Sequence, residues 1–298
     1  MSKWNASMIP DQKGRVIIIT GATSGLGKET ARVLAEKNAT VVLAIRNVKK
    51  GEAVVMEFKK TLPHASFDVR ALSLDSLNSI KEFAAGILKS YDRVDVLINN
   101  AGVMACPFSK TTDGFEIQMG VNHLGHFALT GLLMPVIQKT QGSRIVATSS
   151  QAHRQGDINF NDLQWKNRKY VTGKAYSDSK IANLYFAYEL ARKLKDQPNA
   201  PVVTAAHPGW TITELQRHSV MFRILNPIFG QKVDQGALPT LRAATDEQAK
   251  SGDYFGPKGF MEMKGAPVLV QSNALSHDKE KAEKLWSMSE SLTGVTYP

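Results

Sequence analysis

A three-layer α/β/α domain built on a doubly wound parallel sheet is the architecture this sequence predicts. Three observations carry the prediction. Short runs rich in Val and Ile alternate with stretches of helical periodicity from Arg15 to Ile98, the pattern of right-handed βαβ crossovers. The first run, Arg15 to Thr20, is apolar and β-branched, as suits a strand buried on both faces of a parallel sheet. It leads directly into Thr20-Gly21-Ala22-Thr23-Ser24-Gly25-Leu26-Gly27 and then into a helical pattern from Gly25 to Asn38. No repeat, linker or low-complexity segment divides the chain, so residues 1–298 read as a single domain behind a short polar tail, 1–13.

The elements follow in order. Gly21 allows a tight turn after the first strand, Gly25 lets backbone approach a pyrophosphate, and Gly27 lets the helix pack on the strand. With Thr23, Ser24 and Leu26 between them, they make the helix N-terminus a Rossmann-type phosphate site, with free N–H groups and the positive end of a dipole. The alternative is a glycine-rich turn that binds nothing. The strand before it and the helix after it favour the phosphate site.

Thr40 to Ile45 is the second strand, and it ends in Arg46-Asn47 without a carboxylate. An acidic residue there would suit the ribose of NAD, whereas Arg46 suits a 2′-phosphate, and Lys49 and Lys50 follow. NADP(H) is therefore expected over NAD(H); the alternative is a surface arginine. A helix over 47–62, a strand over 67–72, a helix over 76–90 and a strand over 94–98 come next. That strand ends in Asn99-Asn100-Ala101-Gly102, small residues that would let an adenosine ribose lie close to the backbone.

A helical stretch from Thr112 to Gln138 contains Val121-Asn122-His123-Leu124-Gly125-His126-Phe127. Asparagine and glycine weaken a helix, so a kink, or a polar role for Asn122, is expected here. His123 and His126 have a spacing that could hold a metal. No carboxylate or cysteine joins them, so packing or hydrogen bonding is the preferred reading and no metal site is expected.

Ser143 to Ser150 reads as a fifth strand ending in two hydroxyls, of which Ser150 is the candidate to hydrogen-bond a reacting oxygen. Residues 151–174 form a long polar connection of the kind found beside functional sites. Then comes Ala175-Tyr176-Ser177-Asp178-Ser179-Lys180, opening an apolar helical stripe. Tyr176 and Lys180, four residues apart, share a helix face. An ammonium near a phenol favours its anionic form, so the pair could move a proton to or from a substrate oxygen. The same spacing recurs at Tyr170/Lys174 and Tyr254/Lys258. The first holds Gly173 where a helix is only starting, and Gly256 and Pro257 argue against any helix in the second.

Pro201 to Ala206 is a sixth strand, followed by His207-Pro208-Gly209-Trp210-Thr211-Ile212-Thr213. Its rigid Pro208-Gly209 turn, with Thr211 and Thr213, is the candidate to hold a nicotinamide amide. Residues 214–235 mix apolar and basic side chains and read as a substrate lid or as a helix docked on the core. A helix over 236–246, a strand over 266–270 and a helix over 278–292 complete the chain.

The net charge of +10 is scattered, with no basic run interleaved with aromatics, which argues against nucleic acid as a partner. Cys106 is the only cysteine, which excludes an intrachain disulfide and a thiolate zinc site. No apolar run reaches the roughly 20 residues of a membrane span. The N-terminus lacks the apolar centre of a secretory signal, so a cytoplasmic location is expected.

The glycine-rich loop at Thr20 to Gly27, Asn99-Asn100-Ala101-Gly102, and Asn122, Ser150, Tyr176 and Lys180 in that order together resemble the short-chain dehydrogenase/reductase family. The resemblance spans nearly the whole chain. Asn122 to Phe127 and Ser179-Lys180-Ile181-Ala182-Asn183 resemble its retinol-dehydrogenase-like and bacterial oxidoreductase members. This implies reversible, NADP(H)-dependent hydride transfer between nicotinamide and a carbonyl or secondary alcohol of a moderately hydrophobic small molecule. In that scheme Tyr176 donates the proton and Ser150 hydrogen-bonds the substrate oxygen. Lys180 holds the nicotinamide ribose and lowers the phenol pKa, and Asn122 supports a relaying water. The family carries an aspartate at the end of the third strand for the adenine amine. Ser73 stands there in this chain, so Ser73 and the Leu74 backbone are the candidates. Two other activities remain open: a cofactor-binding sensor or scaffold on the same fold, and reduction of an activated C=C bond. The oligomeric state stays open between a monomer and a homodimer that could pair through the helices at 112–138 and 175–194.

Overall fold

Strand β1 (Val16–Thr20) is buried at every residue and lies inside the sheet, paired in parallel with β2 (Thr40–Ile45) on one side and β4 (Val96–Asn99) on the other. The computed structural model describes residues 3–211 and 230–297. Among these, eight strands form one sheet in the order β3-β2-β1-β4-β5-β6-β7-β8, with β3 (Ser66–Ala71), β5 (Arg144–Thr148), β6 (Val202–Ala206), β7 (Tyr254–Pro257) and β8 (Pro267–Leu269). All pairings are parallel except that of β7 with β8. The chain order reverses between β1 and β4, and in such sheets a ligand crevice opens outside the carboxyl ends of the strands at that point.

Alternation along the strands sorts the core into two layers. Ile17 and Ile19 face one side with Leu34, Val54, Phe58 and Leu241, carried by helices α1 (Gly25–Glu36), α2 (Val48–Lys59) and α7 (Val233–Thr245). Val16 and Ile18 face the other with Ile80, Phe83, Leu133 and Phe186, from α3 (Leu77–Ser90), α5 (Gly125–Lys139) and α6 (Thr172–Leu194). This is the three-layer arrangement that the βαβ alternation predicts.

Four details differ from expectation. The stretch expected as one helix over 112–138 is a short turn α4 (Ile117–Met119), a π-helical segment (Gly120–Leu124) and α5. The Nδ1–H of His126 donates to the Asn122 carbonyl at 3.0 Å, beside this widened turn. A π-bulge is a frequent device for re-aiming a side chain at a functional site, and here it carries Asn122. Helix α6 starts at Thr172, three residues early, and β5 ends at Thr148, which leaves Ser149 and Ser150 beyond the strand. Tyr254–Pro257 was not expected as an element and is strand β7: pairing with β6 and β8 overrides the poor strand propensity of Gly256 and Pro257.

Apolar residues of α5 and α6, the helices that could pair across a dimer, pack within the chain against α8 (Lys279–Thr293) and the tail that follows it. Trp286 stacks on Phe186 at 6.1 Å and meets Phe127 edge-on at 5.0 Å. The Tyr297 hydroxyl donates to the Phe127 carbonyl at 2.7 Å. Among the described residues no helix is long and apolar enough to cross a membrane.

Candidate active site

The carboxyl ends of β1 and β4 are knitted together by Thr20. Its hydroxyl oxygen accepts from the backbone N–H groups of Asn100 and Ala101, both at 2.9 Å, and meets Nε2 of His126 at 2.9 Å. Since Nδ1–H of that ring donates to the Asn122 carbonyl, Nε2 is the acceptor and the threonine the donor. The Asn100 side chain donates to the Thr20 carbonyl at 2.8 Å. Two glycines are required by closeness. A Cβ on Gly21 would lie 2.9 Å from that of Ala101, and one on Gly27 would lie 2.5 Å from both the Asn100 amide nitrogen and the Gly21 carbonyl oxygen. Gly21 and Gly25 also have left-handed φ values of 71° and 51°. This leaves a backbone cradle at the N-terminus of α1, with Thr23, Ser24, Gly25 and Leu26 partly exposed at its rim. The arrangement fits the diphosphate of a dinucleotide.

The other cofactor candidates are distributed around that cradle. Arg46 is exposed just past the end of β2. Ser73 and Leu74 follow β3, where the Ser73 hydroxyl donates to Asp75. The Leu74 carbonyl lies where a Cβ on Gly125 would approach to 2.5 Å, so the adenine candidates pack directly on the start of α5. Beyond β6, the Pro208 carbonyl accepts from the Thr211 hydroxyl and from the Gln231 amide, both at 2.7 Å, and Gly209 has φ 64°. Thr213, and residues 214–229 of the expected lid, lie outside the described residues.

The four catalytic candidates come from three separate elements, the π-helical segment, the turn after β5 and α6, and meet. Tyr176, on the first turns of α6, lies near enough to the Ser150 side chain for that hydroxyl to favour the phenolate. Lys180, one turn on, places its ammonium 5.6 Å from the centre of the Tyr176 ring and donates to the Thr148 carbonyl at 3.2 Å. Asn122 is fully buried. Its side chain accepts from the Val103 N–H at 2.8 Å and donates to the Val103 carbonyl and the Ser179 hydroxyl, both at 2.9 Å. Gly102 joins the groups, since a Cβ there would lie 3.0 Å from the Asn122 oxygen and 3.6 Å from the Lys180 nitrogen. The Asn99–Gly102 turn, Asn122 and Lys180 are therefore one cluster.

Electrostatics within the cluster correct one expectation. The phenol of Tyr176 is not lowered by its lysine: burial pushes it up to about 12, with the Ser150 hydrogen bond pulling the other way. Burial also depresses Lys180, to about 8. The lysine donates to the Thr148 carbonyl, and desolvation is the leading influence on the phenol. Tyr176 in the protein alone thus keeps its proton at neutral pH.

The two other Tyr-x-x-x-Lys spacings have structural roles. Tyr170 precedes α6 and donates from its hydroxyl to Glu116 at 2.6 Å. Tyr254 lies on β7. Both histidines of the metal question are engaged in packing: His126 as above, and His123 through Nε2 to Ser289 at 2.9 Å. Among the described residues no three His, Cys, Asp or Glu side chains gather as a metal site would require. Sequence reasoning missed Thr20, although a hydroxyl at the end of an apolar strand, beside the first glycine, is a readable signal. It also missed Ser179, which fixes the tilt of Asn122.

Comparison with known proteins agrees with this geometry. A family model described as short chain dehydrogenase matches residues 15–222. The chain is 43% identical to human retinol dehydrogenase 13 over 297 residues, covering 96% of this chain and 86% of that protein. It is 42% identical to mouse retinol dehydrogenase 12, covering 95% and 88%. A solved structure of an uncharacterised protein from Mycobacterium paratuberculosis is similar over the full length of both chains, with 40% identity and a TM-score of 0.85. A short chain dehydrogenase from Shigella flexneri, solved in complex with NADP, matches with 25% identity and a TM-score of 0.62 over 82% of this chain and 97% of its own. A dinucleotide cradle and a tyrosine–lysine pair at the switch point of the sheet, on a chain with these relatives, belong to an oxidoreductase of the short chain dehydrogenase family, of retinol-dehydrogenase-like type.

Proposed function

We propose that the protein transfers hydride reversibly between NADP(H) and a carbonyl or alcohol group of a moderately hydrophobic small molecule. The observation that carries this reading is the convergence of Tyr176, Lys180, Asn122 and Gly102, with Ser150 beside the phenol. The cofactor, when bound, supplies the hydride; the protein supplies placement and proton handling. Gly21 to Gly27 cradle the diphosphate, Arg46 takes the 2′-phosphate, and Ser73 with the Leu74 backbone receives the adenine. Asn100, Ala101 and Gly102 let ribose lie against the backbone, and Pro208, Gly209 and Thr211 serve the nicotinamide end, to which the sequence also assigns Thr213. Preference for the phosphorylated cofactor is supported by Arg46 at a strand end without a carboxylate, and by the NADP in the Shigella flexneri structure. The retinol dehydrogenases among the relatives support an apolar alcohol or aldehyde as substrate.

In reduction, Tyr176 and Ser150 hydrogen-bond the substrate oxygen, and Tyr176 gives up its proton as negative charge develops there. Lys180, depressed by burial to about 8 and so still charged at pH 7, supplies positive charge behind the phenol and reaches the ribose hydroxyls. Asn122, clamped to Val103 on both sides of its amide, holds the backbone that carries a relaying water. Replacing Tyr176 with Phe tests the assignment. Loss of the acid lowers ketone reduction with NADPH by about 10²–10⁴-fold, and a variant that keeps near wild-type turnover refutes it.

A further inference from the structure

We infer that Glu262 and His207 are positioning residues that lock the nicotinamide end of the cofactor site to the turn carrying Ser150. The inference deepens the proposed function and rests on it. His207 directly follows β6 and is wholly buried. Its Nδ1 accepts from the Gly209 N–H at 3.2 Å, so the ring proton sits on Nε2, which donates to Glu262 Oε2 at 2.9 Å. The same carboxylate oxygen accepts from the side-chain amide of Gln151, the residue after Ser150. Arg154 reaches the other oxygen at 3.4 Å and the Gln271 carbonyl at 3.0 Å. One carboxylate, 55 residues along the chain from His207, thus joins the Pro208-Gly209 turn to the Ser150 turn.

The backbone around Glu262 enforces the clamp. The Trp210 N–H donates to the Met263 carbonyl at 2.8 Å. A Cβ on Gly209 would fall 2.4 Å from that carbonyl oxygen and 2.8 Å from that of Glu262. On the far side, a Cβ on Gly256 would fall 2.1 Å from His207 Nε2, so the ring has no second place to go. The Tyr254 ring, 5.2 Å from the imidazole, closes the remaining side. Met261 and Glu262 both adopt left-handed backbone, with φ of 50° and 55°. Two successive residues other than glycine there are uncommon, and such conformations persist where the surroundings demand them. What the strain achieves here is an inward-aimed carboxylate. Hydride transfer requires the ring that gives the hydride and the hydroxyl that holds the acceptor to keep a fixed separation. These lie on turns after different strands, β5 and β6, and Glu262 is the side chain that spans them.

The test is calorimetric binding of two probes, NADP+ and adenosine 2′,5′-bisphosphate, which lacks the nicotinamide half. Both are titrated into wild type, Glu262→Ala and Glu262→Gln. Glu262→Ala is expected to weaken NADP+ by about tenfold, the worth of one charge-assisted hydrogen bond, and to leave the bisphosphate unchanged. Glu262→Gln, which keeps an oxygen for the His207 proton, is expected to recover most of the loss. Unchanged NADP+ affinity in Glu262→Ala, or equal loss of both probes, overturns the inference while the proposed function stands. A wild-type protein that binds neither probe overturns both.

Discussion

Lys180→Met is expected to make the protein more stable and less active. The lysine side chain is 4% exposed, and its ammonium has the Thr148 carbonyl as acceptor and no carboxylate partner among the described residues. Burial alone lowers its pKa from 10.5 to about 8. At pH 7 both folded and unfolded chains carry the proton, and a shift of that size corresponds to about 3 kcal/mol of destabilisation. Methionine fills a similar volume without charge. It gives up the hydrogen bond to Thr148, a loss of about 1 kcal/mol. That carbonyl still accepts from the Asn183 amide at 2.9 Å, so no orphan acceptor is left. The variant should therefore be more stable by about 2 kcal/mol at pH 7, raising Tm by roughly 4 °C. Because the folded-state pKa is depressed, the penalty is fully present below pH 8 and fades as pH rises toward 10.5. Urea melts of both proteins without cofactor, at pH 7 to 10, would show the gap closing over that window. A variant less stable at pH 7, or a gap indifferent to pH, would refute the reasoning. Under the proposed function such a buried ammonium serves the chemistry at the expense of the fold, the expected trade between stability and activity.

Two further outcomes follow from the site and its support. Arg46→Ala should raise Kd for NADP+ by about 10- to 100-fold, the loss of a charge-assisted contact, with little change for NAD+; equal effects on both cofactors would contradict the assignment. Burial holds His123 down to about 3 and His126 to about 4, so the folded state resists their protonation. Their contribution is fully present above pH 6.5 and is lost as pH falls toward 4 for His126 and toward 3 for His123, at about 1.4 kcal/mol per pH unit for each ring. His123→Gln, which can still bond Ser289, should flatten the acid limb of stability by one such increment, and parallel curves would show that the ring does not titrate on unfolding.

Much of this was legible because the signals are local. The run from Val16 to Gly27 carries strand, turn and helix start in twelve adjacent residues, and the glycines are needed within the same unit. Tyr176 and Lys180 share one helix face, so spacing alone brings them together. Asn122 was readable as an irregularity, though not as a π-segment, because residue types do not distinguish a widened backbone turn from a kink. The rise in the Tyr176 pKa was not readable: it depends on burial, which side-chain spacing does not reveal. Strand β7 was hidden because Gly256 and Pro257 look like a turn until β6 and β8 pair with them. The His207–Glu262 clamp was hidden for the same reason, since it joins a strand end to a distant loop with no periodic pattern.

The central claim is that Tyr176 and Ser150 present a carbonyl carbon to the cofactor's hydride. It is tested most directly by single-turnover reduction of an enone with NADPH deuterated at the transferable position of nicotinamide C4, followed by mass and NMR analysis of the product. The account predicts one deuterium on the carbinol carbon, with the C=C bond intact. Deuterium at the β-carbon of a saturated ketone, or none transferred from bound cofactor, would contradict it.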